Sequence, residues 1–472
     1  MSPMTISTND ATTAASESSL KSCILPRTLW TPPIATSAEG IYFYLQDGRK
    51  LVDAVGGAAV TSIGNGHPKV VKAVQEQVAK VAYVYNAQLS NEPAEQLSRY
   101  LVDSSHGAFA ACGFVAGGSE AVEATIKLAR QYYYEISQPQ RTKFISRKLS
   151  YHGNTLGALQ MSGHPSRRRP YEAILDRTNF HHVSPAYYRR FALEGESEEQ
   201  YVERLARELE DKFIELGPDT VCAFVAETVV GATTGVVPAP KGYFKAMKAI
   251  CDKYGALLIL DEIMCGMGRM GTLHAWESFG DGVHPDLQAV AKGLGGGYSP
   301  IGAVLMSKRI ADAVRKGSGF WQHGHTYQAV PVSCAAALAV QQVIKSENLL
   351  QNVLSAGARL SAHLHTKLAA PSPAAPYVAD IRGGGLFWAV EFDSPTGEPG
   401  FGPLIQEIAF RNGLIIMGMG GGAAVDGSKG EHVILAPAYN VTEEEVDLIA
   451  DLFVKSVEEA VKSSLLPNKA RL

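Results

Sequence analysis

The sequence predicts an α/β fold: a large domain with a mainly parallel sheet covered by helices, plus a smaller α+β domain. Three observations carry this reading. Between about residues 110 and 306, runs that are apolar throughout alternate with helical segments, the pattern of strands buried on both faces. After residue 346 the texture changes to helix, linker, strand pair and helix. The chain has 472 residues, too many for one simple core and enough for two domains.

Residues 1 to about 22 are rich in Ser, Thr and Ala without hydrophobic periodicity, so a disordered tail is expected over 1–25. Ile41-Tyr42-Phe43-Tyr44-Leu45, Asp47-Gly48-Arg49 and Leu51-Val52 form a hairpin signal, because Asp-Gly sits between apolar runs. This β region, 26–64, is assigned to the small domain. Gly64 to Pro68 is a turn, and a helix pattern follows with Val70, Val71, Ala73 and Val74 on one side. The large domain is expected over 65–330. Its strand-like runs are Gly113–Val115, Lys143–Ser146, Val221–Ala226, Leu257–Leu260, Leu287–Val290 and Gly302–Met306. Its clearest helices are Glu120–Tyr134, Glu198–Leu216 and Tyr243–Tyr254, and Cys334–Lys345 follows. The small domain resumes over 331–472 with helix Leu349–Leu368, a linker at Pro371–Pro376, a strand–turn–strand over Val378–Phe392, and helices Pro403–Asn412 and Thr442–Val461. Thr442-Glu443-Glu444-Glu445 is a capping box that opens the last helix.

Hydrophobic residues make up 46 % of the chain and charged residues 19 %, an ordinary globular composition. A net charge of −4 gives no electrostatic case for nucleic acid or an anionic membrane surface. No apolar stretch approaches bilayer-spanning length. Six scattered cysteines, with no C-x-x-C pair, point to a reducing compartment rather than a disulfide framework.

The chemistry centres on two strand ends. The run ending at Leu260 is followed by Asp261-Glu262, and the run ending at Val290 by Ala291-Lys292-Gly293. Ligands of parallel sheets bind at the carboxyl ends of strands. A lysine beside glycines can bring its amine close to a planar group, and an acid nearby can hold a pyridine nitrogen protonated. That is the pair a pyridoxal 5'-phosphate enzyme needs: a Schiff-base lysine, Lys292, and a ring-nitrogen partner, Asp261. Gly117-Gly118-Ser119 opens a helix after a strand, where free N–H groups suit a phosphate. Tyr151-His152-Gly153 follows another strand and offers an aromatic face. Glu227 is a third acid at a strand end.

Other motifs carry less. Gly266-Met267-Gly268-Arg269-Met270-Gly271 matches G-x-G-x-x-G, but five residues, Asp261 to Cys265, separate the apolar run from its first glycine and it lacks an early βαβ context, so a nucleotide site is disfavoured. His323-Gly324-His325 and His181-His182 lack metal-ligand spacing, so no metal is expected. A loop presenting Thr326 to a phosphate is the better reading of the first.

Together these motifs resemble the class III (omega-type) aminotransferases, pyridoxal phosphate enzymes of fold type I. The resemblance runs through Asp47-Gly48, Gly64 to Pro68, Gly118 to Ala124, Tyr151-His152-Gly153, Asp261-Glu262-Ile263, Gly268-Arg269, Ala291-Lys292-Gly293, Gly324-His325-Thr326, and Arg382-Gly383 with Gly385-Leu386. It implies that Lys292 and Asp261 are catalytic. It implies that Gly118 and Ser119 bind the phosphate, that Ile263 and Tyr151 pack on opposite faces of the ring, and that His152 and Glu227 lie near the cofactor. Thr326 would reach the phosphate of a neighbouring subunit, which implies a homodimer with shared active sites. The implied reaction moves an amino group from an amine or amino acid donor to a keto acid acceptor by a ping-pong cycle. Met264, where many members carry glutamine, brings the cofactor motifs closest to the amine:pyruvate branch. Met417 and the loop Gly418–Gly422 stand where that branch often has a mobile arginine, so the binder of the substrate carboxylate is unassigned. Gly57-Ala58-Ala59 replaces a frequent aromatic and widens the entrance.

The same scaffold also supports a decarboxylating transaminase or a racemase/epimerase. From other classes, a nucleotide-dependent oxidoreductase or a non-catalytic binding protein is the alternative, the latter weakened by the presence of both Lys292 and Asp261. The ending Ala470-Arg471-Leu472 is similar to the Ser-Lys-Leu peroxisomal address, so the expected location is cytoplasmic or peroxisomal, with a peroxisomal import receptor as partner in the second case.

Overall fold

The computed structural model describes residues 22–279, 282–422 and 424–466. The tail up to residue 21 and the tripeptide Ala470-Arg471-Leu472 lie outside the described residues.

A seven-stranded sheet organises the large domain. Its strands are β1 (Ala111–Val115), β2 (Lys143–Arg147), β3 (Phe180–Val183), β4 (Val221–Glu227), β5 (Leu257–Asp261), β6 (Leu287–Val290) and β7 (Gly302–Met306). The spatial order is β1-β7-β6-β5-β4-β2-β3. All neighbouring pairs are parallel except β6–β7 and β7–β1, which are antiparallel. Every residue of β4, β5, β6 and β7 is buried, which is why these strands read as unbroken apolar runs. Helices cover both faces. Phe224, Leu258 and Leu260 pack into one core layer, with Leu205 and Met247 from helices. Val225, Leu257 and Ile259 pack into the other, with Val122 and Leu128 of helix α1 (Gly118–Glu135). The alternation of side chains along a strand splits the two sets.

The small sheet is antiparallel, in the order Val378–Gly384, Phe387–Phe392, Glu431–Leu435, Met417–Met419. Helices Leu349–Lys367, Phe401–Arg411 and Glu443–Leu465 contribute to its core with Leu360, Ile405 and Phe453. The last helix opens on the capping box read from the sequence: Thr442 Oγ1 accepts from Glu445 N and the Glu445 carboxylate accepts from Thr442 N. The N-terminal strands Ala35–Glu39, Tyr42–Leu45 and Lys50–Asp53 are antiparallel, and the third pairs in parallel with Leu414–Ile415. Helix Pro331–Ser346 bridges the two cores, with Val340 in one and Ala337 in the other.

Glu391 locks the small sheet to the large domain. Its carboxylate, 1 % exposed, accepts from Tyr187 Oη at 2.5 Å, from Arg382 Nη1 at 2.7 Å and from Arg190 Nε at 2.7 Å. Arg382 also donates to the carbonyls of Thr234 and Gly235. Burial opposes the charge, but Arg382, Tyr187 and Arg190 outweigh it and hold the carboxyl below its ordinary pKa of 4.5. The stability contributed is therefore fully present above pH 4.5 and is lost as pH falls further. Glu391→Gln leaves buried Arg382 with only the more exposed Asp380 carboxylate, 3.1 Å away, and is expected to cost about 3 kcal/mol in chemical denaturation at neutral pH. An unchanged denaturation midpoint would show that the network contributes nothing.

Candidate active site

Five strand ends of the large sheet converge on one cavity of about 630 Å³. Gly118 and Ser119 follow β1, Tyr151 and His152 follow β2, Glu227 ends β4, Asp261 ends β5, and Lys292 follows β6. All seven line the cavity, and so does Ile263. The sheet register sets Asp261 directly beside Glu227.

Asp261 is buried and held from two sides. Its Oδ2 is 2.8 Å from His152 Nδ1, and its Oδ1 accepts from Ile263 N at 3.0 Å. A carboxylate there makes His152 Nδ1 the donor. The other ring nitrogen of His152 is buried with no hydrogen-bond partner among the described residues. Glu262, one residue on, points to the opposite face of the strand. It accepts from Thr228 Oγ1, Ala275 N, Trp276 N and Gln288 Nε2, all within 2.8 Å, so it braces the core beneath the site. Burial pushes its pKa up to about 7, against those donors.

Glu227 accepts from Tyr151 N and from Gly231 N, each at 3.0 Å. It thereby ties the Tyr151 backbone to the end of β4. Burial raises its pKa, and His152 partly counters this.

Lys292 stands at φ 42°, left-handed backbone that a side chain rarely adopts. Its amine has neither a hydrogen bond nor an ion pair among the described residues. Burial lowers its pKa below the ordinary 10.5, while Asp261 and Glu227 pull it back up. It is a cavity-facing amine that loses its proton more readily than one in water.

Helix α1 starts at Gly118, where the first-turn N–H groups have no partners within the helix. Ser119 Oγ accepts from Asn154 N at 3.0 Å, joining this end to the Tyr151–Asn154 loop. A Cβ on Gly118 would lie 2.9 Å from Ile263 Cγ2, so only glycine leaves Ile263 its place on the cavity wall. These features fit pyridoxal phosphate: a free amine for its aldehyde, an oriented carboxylate for its ring nitrogen, an aromatic and an aliphatic wall for its ring, and unpaired amides for its phosphate.

Thr326 is not in this cavity. It is exposed, and its carbonyl accepts from Tyr83 Oη at 2.9 Å. The glycine motif after β5 is structural: a Cβ on Gly268 would meet Tyr439 and one on Gly271 would meet Leu354, while buried Arg269 donates to the carbonyls of Leu386 and Pro437. Among the described residues, no group of three or more His, Cys, Asp or Glu is placed to hold a metal. Ala58, Met264 and Met417 line the cavity, as their sequence positions suggested. Arg167, Gln406 and Arg27 line it too, and nothing local in the sequence marks them.

Residues 27–457 match the family model described as aminotransferase class-III. An uncharacterized aminotransferase of Schizosaccharomyces pombe is 43 % identical, covering 91 % of this chain and 93 % of its own. A chloroplastic gamma aminobutyrate transaminase of Solanum lycopersicum is 34 % identical, over 91 % of this chain and 81 % of its own. Among solved structures, the omega transaminase of Pseudomonas jessenii in complex with PMP superposes with a TM-score of 0.83 at 30 % identity, covering 92 % of this chain and 94 % of that one.

Proposed function

The chain belongs to the class-III aminotransferases, and we propose that within this family it takes amino groups from an amine or amino acid and passes them to a keto acid, in the manner of the amine:pyruvate branch. It is a pyridoxal phosphate-dependent transaminase of fold type I. The observation that carries the reading is the unpaired amine of Lys292 in the same cavity as the Asp261–His152 pair.

When bound, pyridoxal phosphate supplies an aldehyde that takes up the amino group and a ring that accepts electrons released at the substrate Cα. The remaining work falls to side chains of this chain. Lys292 would hold the coenzyme through its amine, and the lowered pKa of that amine suits it to take a proton from the substrate Cα and return it. Asp261, fixed by His152 and Ile263 N, would hold the coenzyme's ring nitrogen through its carboxylate. Gly118 and Ser119 offer amides and a hydroxyl to the phosphate.

The branch is supported by Met264 on the cavity wall and by likeness to the omega transaminase of P. jessenii. The entrance wall is apolar and small, with Ala58 and Val60, so a bulky donor fits better there than a second charged group. A homodimer is the further part of this reading. Exposed Tyr83, Tyr85, Leu89, Phe320 and Tyr327 cluster in the two segments joined by the Tyr83–Thr326 hydrogen bond. A second copy covering them would bring Thr326 to its neighbour's site.

The test is a half-reaction screen. Conversion of the pyridoxal form to the pyridoxamine form is followed spectrally with a panel of amines and amino acids, then reversed with pyruvate or 2-oxoglutarate. At least one donor and one acceptor are expected to drive it, in a protein that sediments as a dimer. Carbon dioxide release, or racemisation without a keto acid, counts against the proposal, and a fully active monomer counts against the shared site.

A further inference from the structure

Besides His152, the cavity is lined by two acids, Asp261 and Glu227, and by one lysine and two arginines, Lys292, Arg167 and Arg27. Both acids are engaged by hydrogen-bond donors. Lys292 is the coenzyme's amine. That leaves two guanidinium groups facing a substrate-sized space.

Arg167 is the better placed of the two. It lies in the short helix Pro165–Arg168 and is half-buried. Its guanidinium carbon lies 4.6 Å from the centroid of the Tyr151 ring. Among the described residues no carboxylate lies within ion-pairing distance of it. Its neighbour Arg168 is spent on Glu172 and on the carbonyls of Gln160 and Ser162. The segment is pinned: His164 Nδ1 lies 2.9 Å from Ser166 Oγ, and a Cβ on Gly427 would meet the His164 ring at 3.2 Å. The start of the helix is therefore set beside the small-domain loop that carries Gly427. Arg27, by contrast, is exposed on a segment without regular secondary structure.

Among the described residues, the rest of the wall offers no other Lys or Arg for an anion away from the coenzyme's phosphate. Ala58, Val60, Val229, Ala232, Met264 and Met417 are apolar. Gln406 accepts from Gly418 N through Oε1 at 2.7 Å, which leaves its amide N–H as a neutral donor, weaker toward a carboxylate than a guanidinium. A guanidinium stacked on an aromatic ring keeps its N–H edge open, and its planar fork matches a carboxylate.

We propose that Arg167 receives the carboxylate of the amino acid or keto acid substrate. The assignment rests on the keto acid acceptor proposed above. It makes Tyr151 a shared surface, in contact with the substrate's anchor and lining the coenzyme's site. A carboxylate-free amine would bind without using the subsite, so one cavity serves both donor types.

The test uses holoenzyme and compares ligands that differ only in the carboxylate: pyruvate against acetaldehyde, and L-alanine against ethylamine. Arg167→Gln and Arg27→Gln are measured beside wild type, with the dissociation constant for pyridoxal phosphate as a separate readout. For Arg167→Gln, KM for pyruvate should rise about 30-fold with kcat little changed, acetaldehyde kinetics should stay within about twofold, and coenzyme binding should be unaltered. Arg27→Gln should change pyruvate and acetaldehyde kinetics by the same factor. Equal losses with pyruvate and acetaldehyde would overturn the proposal, since Arg167 would then only support Tyr151. A carboxylate-selective loss in Arg27→Gln instead, or weakened coenzyme binding in Arg167→Gln, would also overturn it. Wild-type enzyme that turns over donors but takes neither pyruvate nor 2-oxoglutarate marks failure of the acceptor reading itself. The alanine–ethylamine pair then decides Arg167 alone.

Discussion

Lys292→Ala is expected to lower transamination about ten-thousandfold or more and to remove the visible absorbance of a lysine-bound coenzyme, while the protein stays folded. The size follows from two roles lost together. The amine anchors the coenzyme covalently, and it moves the proton at the substrate Cα. Its surroundings suit both. Burial depresses its pKa, and Asp261 and Glu227 moderate that shift, so the amine is neither locked as a solvated cation nor stripped of all stabilisation. The left-handed backbone at this position is local strain retained at a functional residue. Alanine removes the side chain without adding bulk to the cavity, so thermal stability should change little. Coenzyme should still bind through the phosphate-facing amides near Gly118, only more weakly. A mutant with wild-type turnover would refute the assignment outright.

The parts of the fold visible in the sequence are those that a single physical cause dominates. Strands β4, β5 and β6 are buried on both faces, so every position must be apolar and the run announces itself. Edge strand β3 was not legible, because Phe180-His181-His182-Val183 is only partly buried and carries two histidines. Strand Glu431–Leu435 hides its nature for another reason. Glu431 is a buried acid that accepts from Gly400 N and Gly402 N, partners that only the fold supplies. Helix Glu92–Asp103 has a readable start, since Asn91 caps it by accepting from Ala94 N.

The site divides along similar lines. Lys292, Asp261 and Glu227 stand at strand ends, where local sequence and the topology of parallel sheets suffice to pick them out. The structure supplies the reason why Asp261 rather than Glu262 faces the ligand. The alternation of β5 decides it, turning Glu262 into the core and Asp261 into the cavity. Arg167 was invisible because Arg167-Arg168-Arg169 reads as a solvated basic run. Folding separates the three, spending Arg168 on Glu172 and setting Arg167 against Tyr151.

Asp261→Asn is the sharper test of the electrostatic argument, because the two side chains have the same shape. Asparagine can still accept from Ile263 N, and its amide N–H can donate to His152 Nδ1 once that ring carries its proton on Nε2, so the fold and the cavity should persist. What disappears is one negative charge in a buried setting. Without it the ring nitrogen of a bound coenzyme is no longer held protonated, and the electrons released at Cα have a poorer acceptor. A loss of roughly a thousandfold in kcat is expected, equivalent to about 4 kcal/mol of transition-state stabilisation. A second consequence separates this explanation from simple damage to the site. Asp261 raises the pKa of Lys292, so its neutralisation lets that amine lose its proton at lower pH. In the coenzyme-free protein, the pH midpoint for modification of Lys292 by an electrophile should therefore fall in Asp261→Asn. A slow enzyme with an unmoved midpoint would mean that the carboxylate does not sense the lysine. Unchanged turnover would mean that its charge is not part of the chemistry.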